Sequence, residues 1–132
     1  DTTVDAEALN NLNNYTSGVI NADTLTKLTG TLADVNVAFA ADAASSATIS
    51  GLGDQDVELT DTNVLAADIN TLNTYTSGTV DASTVAVMEG TVSALNTAYD
   101  TAGINGLGNE SVTITDTTAL VAALFTLDGN TT

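Results

Sequence analysis

The sequence predicts an α/β fold, a repeat solenoid of strand–helix coils roughly 30 residues long, arranged in double units of 55 to 60 residues. Three observations carry this reading. First, Leu12-Asn13-Asn14-Tyr15-Thr16-Ser17-Gly18 returns sixty residues later as Leu72-Asn73-Thr74-Tyr75-Thr76-Ser77-Gly78. Second, pairs of Asp or Gly followed by Thr, each a helix-start signal, stand at Asp1-Thr2, Gly30-Thr31, Asp61-Thr62, Gly90-Thr91 and Asp116-Thr117, with steps of 29, 31, 29 and 26. Third, apolar residues after those pairs fall three and four apart, while β-forming stretches that alternate lie between them. The alternative is a mainly α-helical repeat in which the extended stretches are only linkers.

Along the chain, residues 1–17 form a partial repeat, 18–77 the first full copy and 78–132 the second, all in a single array. The sixty-residue register also links Gly30-Thr31 to Gly90-Thr91 and Phe39 to Tyr99, then shortens to fifty-five between Gly51-Leu52-Gly53 and Gly106-Leu107-Gly108. The surplus residues of copy one belong in the Ala/Ser-rich stretch from Ala40 to Ser46. Helices are expected to begin near Thr2, Thr31, Thr62, Thr91 and Thr117, with Thr or Asp capping the free amides of each first turn. Leu65, Ile69 and Leu72, like Leu120, Leu124 and Leu127, share one helical face. Most helix starts are followed by an Asn beside an apolar residue: Asn10, Asn36, Asn70 and Asn96, with Phe125 in the last segment. Val57 to Thr60 and Val112 to Thr115 alternate as strands do, and Gly18 to Ala22 and Gly78 to Ala82 read as a second short strand. Val85, Met88, Val92, Leu95 and Tyr99 would also suit one long helix. That helix would hold Gly90 in its interior at about 0.5 to 1 kcal/mol, so the shorter helix is preferred. Leu12, Leu72 and Leu127 are expected to be equivalent buried positions, with Val35, Ile69, Leu95 and Leu124 buried beside them. The apolar pattern of Val4, Ala8, Leu9 and Leu12 at one end, and of Leu120, Leu124 and Leu127 at the other, predicts unfinished stacking surfaces that join end to end to neighbouring repeats or identical subunits.

Composition narrows the function. With 43% apolar residues the chain folds, yet 17 carboxylates face the single Lys27, for a net charge of −16. Nucleic acid and anionic membranes are poor partners, since both demand a basic footprint, so no nucleic acid is expected, and no apolar run is long enough for membrane insertion. The absence of Cys removes disulfides and thiol chemistry. Without His or Cys, and with one Lys, the chain lacks a nucleophile beside a base, and no enzyme is expected. Calcium is the one cofactor these residues suit: Asp54, Asp56 and Glu58 alternate, so an extended backbone projects all three to one side as a candidate metal site. The run matches neither the EF-hand loop nor the glycine-rich calcium nonapeptide. Thr113 and Thr115 resemble the threonine ranks of ice-binding solenoids, but such ranks need the same residue on every coil, and Thr113 aligns with Glu58. Asn14, Asn109 and Asn130 open Asn-X-Ser/Thr triplets that accept glycans in a glycosylating secretory setting. Tyr15 with Tyr75, and Phe39 with Tyr99, recur in register as packing aromatics.

The segments Thr76 to Ser83, Ile104 to Glu110 and Val112 to Thr117 resemble repeats of very large adhesin-like cell-surface proteins of bacteria, of the kind found in marine cyanobacteria and other aquatic species. The resemblance covers nearly the whole chain through its repetition and brings no catalytic residue with it. It implies an extracellular location at the cell surface and a structural role as spacer and contact scaffold in an adhesin, filament or surface layer. The alternative it leaves open is a secreted binding module for calcium or surface glycans.

Overall fold

A computed structural model describes residues 2–131. Asp1, half of the first helix-start pair, and Thr132, the end of the second copy, lie outside the described residues. The fold is α/β, and one to three short strands precede each helix. The elements are β1 (Thr3–Asp5), α1 (Ala6–Tyr15), β2 (Ile20–Asn21), β3 (Lys27–Gly30), α2 (Leu32–Ala43), β4 (Ile49–Ser50), β5 (Asp56–Leu59), β6 (Asn63–Leu65), α3 (Ala66–Tyr75), β7 (Val80–Asp81), β8 (Val87–Gly90), α4 (Val92–Asp100), β9 (Ile104–Asn105), β10 (Ser111–Ile114) and α5 (Val121–Asn130). The strands form a five-stranded sheet in the order β1-β3-β5-β7-β9, a three-stranded sheet β10-β8-β6 and the pair β2-β4. Every pairing is parallel, and in every one the partners are separated by one helix: Val4 lies beside Leu28, Leu28 beside Val57, Val57 beside Val80, and Val80 beside Ile104. The helices follow the same rule, α1 packing on α2, α2 on α3, α3 on α4 and α4 on α5.

The core lies between these strands and helices. Leu28, Val57, Leu59 and Met88 enter it from the strands, and Val35, Ile69, Leu72 and Leu95 from the helices, all essentially inaccessible to water. Alternation explains the strand side: on β5 Val57 and Leu59 are buried while Asp56 and Glu58 face out. Gly90 ends β8 where a Cβ would come within 2.9 Å of the Ala66 Cβ, so the start of α3 fits beside this strand only because position 90 has no side chain. At Gly30 a Cβ would stand at an ordinary 3.4 Å from that of Ala6, and glycine is favoured there by its positive φ of 143°.

The stretches read as strands do pair into sheets, which removes the helix-only alternative. Gly90 ends a strand and Thr91 caps the short helix α4, so no helix runs from Thr84 to Tyr99. Thr31 and Thr91 cap α2 and α4 by accepting from the amides of Asp34 and Ala94. Helix α2 has 12 residues against 9 in α4, and the loop before β4 is two residues longer than the loop before β9.

The other three expected starts are corrected. Thr2 and Thr62 precede the extended β1 and β6, whose backbones pair with β3 and β8, and the helices begin only at Ala6 and Ala66. The last helix begins at Val121 rather than at Thr117. The aspartates of these pairs serve another helix: Asp61 Oδ2 accepts from the amide of Leu32 at the start of α2, and Asp116 Oδ2 from that of Val92 at the start of α4, both at 2.6 Å. A carboxylate there satisfies a free amide and meets the positive end of the helix dipole. The equivalence of Leu12, Leu72 and Leu127 is also corrected. Leu72 and Leu127 are buried, whereas Leu12 is 53% exposed: each is the seventh residue of its helix, on the side that meets the preceding helix, and α3 and α5 pack there on α2 and α4 while no described helix precedes α1. Leu124, expected in the core, is 36% exposed on α5, which no described helix follows.

Candidate functional site

The acidic residues singled out as a metal site fall on and beside β5. Asp54, Asp56 and Glu58 are all exposed; Asp56 and Glu58 alternate with buried Val57 and Leu59 on β5, and Asp54 lies on the bend before the strand. Each is engaged separately. Asp54 Oδ1 accepts from Gln55 Nε2 at 2.8 Å, Asp56 Oδ1 accepts from both the amide and hydroxyl of Thr79 at 2.8 Å, and Glu58 Oε2 pairs with Lys27 Nζ at 2.9 Å. The bonds from Thr79 hold the Asp56 carboxyl below its ordinary range, as those from Ser83 do for Asp81 on the adjoining strand. The bond to Glu58 raises Lys27. Among the described residues no three acidic side chains converge as a ligand set. Thr113 is no part of a threonine rank, because its partner on β8 is Glu89.

The best-organised polar features are two networks that bind successive segments together. On the helices, Asn10 Nδ2 donates to the Asp34 carbonyl, Asn36 to Asp68, Asn70 to Ala94 and Asn96 to Ala123, at 2.8 to 3.3 Å. In each case the fifth residue of one helix reaches the third residue of the next. Two residues at 3.6 per turn lie about 200° apart, so the third position faces the preceding helix and the fifth faces the following one. The Oδ1 atoms of the same four amides are buried with no donor within reach, so each amide contributes through its Nδ2 alone. The recurrence of Asn was visible in the sequence; its bond across to the next helix was not.

The second network closes the Gly-Leu-Gly turns. Buried Gln55 accepts from the amides of Gly53 and Asp54 and donates to the carbonyls of Leu25 and Gly51 and to Asp54 Oδ1. Fifty-five residues on, Glu110 stands in its place: it accepts from the Gly108 amide and from the Tyr99 hydroxyl at 3.0 Å. Tyr99 replaces Phe39 of the first copy, so the acid and the hydroxyl that satisfies it occur together. Burial, then the Glu110 carboxylate, drive the Tyr99 phenol well above its ordinary range. Phe39, which has no hydroxyl, stacks on Tyr75 with ring centroids 6.4 Å apart.

Apolar residues are exposed at the two ends of the helix row. At one end Val4, Ala8, Leu9, Leu12, Ile20 and Leu25 line a cleft of about 310 Å³. At the other, Val112, Ile114, Val121, Leu124, Phe125 and Leu127 line one of about 540 Å³, with Phe125 73% exposed. No described helix is long and apolar enough to cross a membrane. No protein-family model, curated protein or solved structure matches the chain.

Proposed function

We propose that this chain is a structural unit of an extracellular cell-surface protein: an α/β solenoid whose strand–helix coils stack in chain order, in 55- to 60-residue double units, to give a spacer and contact scaffold. The observation that carries the reading is that every strand pairing and every helix pairing joins segments one helix apart. Such a chain grows in one direction by adding coils, and its Asn and Asp side chains act as ties between neighbours rather than as a reaction centre. A composition rich in Thr, Asn and Asp and a charge of −16 agree with an extracellular setting.

A calcium-binding module is the second reading: Asp23, Asp42 and Asp54 line one cavity of about 360 Å³ beside residues 51–53, without converging as a ligand set. The two readings part in a melting experiment. A scaffold melts at the same temperature in calcium chloride as in sodium chloride of equal ionic strength, and glycans do not shift it. A calcium module gains stability with free calcium by mass action, and a clear rise there would overturn the spacer.

A further inference from the structure

We infer that the exposed α5 face of one copy docks against the exposed α1 face of a second copy, with Phe125 as the inserting side chain and the Ala8 cleft as its receptor. The inference rests on the coil-stacking reading and names a partner for its two exposed apolar faces.

Helices α1 to α4 each carry Asn at the fifth position, where it ties the following helix by a hydrogen bond. In α5 the third position conforms, since the Ala123 carbonyl receives Asn96, but the fifth is Phe125. A surface that follows α5 is therefore not held by the bond that joins the internal helices. It meets a large apolar side chain on the side of α5 turned away from α4. That side chain needs an apolar recess.

The cleft on the opposite end of the molecule supplies one. It is lined by Ala8, the third residue of α1, the position that receives the preceding helix at each internal junction. A small residue there leaves room for a ring, and Val4, Leu9, Leu12, Ile20 and Leu25 surround it with apolar walls. The docked pair continues the helix-on-helix interface that runs from α1 to α5, with aromatic burial replacing the amide bond. The two faces differ, so the contact is heterologous and propagates head to tail. Each copy is strongly acidic, so association strengthens when salt confines repulsion to about 8 to 10 Å or less.

Sedimentation of the intact chain over a wide concentration range, in moderate salt, reads the association. The account predicts concentration-dependent oligomers, and Phe125→Asn, which installs the residue of the other four helices, weakens them by about tenfold or more. Its melting temperature stays close to that of the parent because Phe125 is exposed. Leu12→Glu, also at an exposed residue, blocks the cleft. Under head-to-tail docking neither variant forms long chains alone, and their mixture forms one-to-one dimers through the intact face of each. If Leu12→Glu dimerises alone as well as the parent does and the mixture forms no heterodimer, the α5 faces pair with each other and the inference is overturned. A parent that stays monomeric at every concentration overturns it too. Neither result bears on the internal stacking of coils, which is tested by lengthening the chain as described below.

Discussion

Replacing Asn70 probes the tie between helices at the centre of the molecule. Its Nδ2 donates to the Ala94 carbonyl at 2.8 Å, and its Oδ1 is buried without a donor. Asn70→Ala gives up one intramolecular hydrogen bond, a net loss of about 1 kcal/mol, and also removes the unsatisfied Oδ1, so the total destabilisation stays near 1 kcal/mol. For a chain of this length that is a fall in melting temperature of roughly 3 to 4 °C. Asn70→Asp keeps the shape but turns the donor into a buried carboxylate facing a carbonyl oxygen, at a cost of about 3 kcal/mol or more. Urea unfolding at neutral pH, followed by circular dichroism, orders the three proteins as parent, Asn70→Ala, Asn70→Asp. The aspartate variant should recover as the pH falls toward about 4, because a carboxyl whose folded pKa is raised binds its proton more readily in the folded state and regains a donor. If Asn70→Asp is no less stable than Asn70→Ala at neutral pH, Nδ2 does not tie α3 to α4.

Gly90→Ala sets a Cβ 2.9 Å from that of Ala66 and should cost about 1 to 3 kcal/mol, whereas Gly53→Ala, with nothing within 4 Å of the added atom, should leave the urea midpoint nearly unchanged. Spectrophotometric titration should find the Tyr99 phenol the most resistant to ionisation. Since its folded pKa is raised, the stability it contributes is intact below about pH 10 and declines as the pH climbs further; Tyr99→Phe removes that decline. Asp56 and Asp81 have lowered folded pKa values, so their contribution is present above about pH 4 and is lost as acid protonates them. Asp56→Asn combined with Asp81→Asn should flatten the acid limb of the melting profile. Sodium chloride should raise the melting temperature by screening seventeen carboxylates that face one lysine, and a melt unchanged or lowered by salt counts against dominant self-repulsion.

What could be read from the sequence was local chemistry. Thr31 and Thr91 announce helices because a cap acts within three residues, and β5 shows its outward acids because side chains alternate within four. What escaped depends on residues far along the chain. The three-residue β1 and β6 owe their extended state to partners twenty-four positions on, as Thr3 does to Lys27 and Asn63 to Val87, so the Thr2 and Thr62 signals gave helix starts four residues early. Asp61 and Asp116 look like caps for the helix that follows, yet they cap helices already formed 29 and 24 residues before. For the acidic group, the outward side of Asp56 and Glu58 was legible, while the engagement of Asp56 by Thr79 and of Glu58 by Lys27 required the neighbouring strands. Leu12 differs from Leu72 through the number of helices that cover it, which no property of the residue records.

The central claim is that the molecule is a one-dimensional stack, and an inserted double unit tests it most directly. Residues 18–77, repeated between Ser77 and Gly78, keep the sixty-residue register and preserve the kind of junction found inside the chain. Two added coils should lengthen the particle by about 10 Å along the strands, at about 4.8 Å for each, and by about 16 to 20 Å along the helices, with an unchanged cross-section. Small-angle X-ray scattering, with circular dichroism to count the added helix, measures both. The account predicts a longer rod of the same thickness that melts at a higher temperature; a particle that swells equally in all directions, or an insert that remains unfolded, would contradict it.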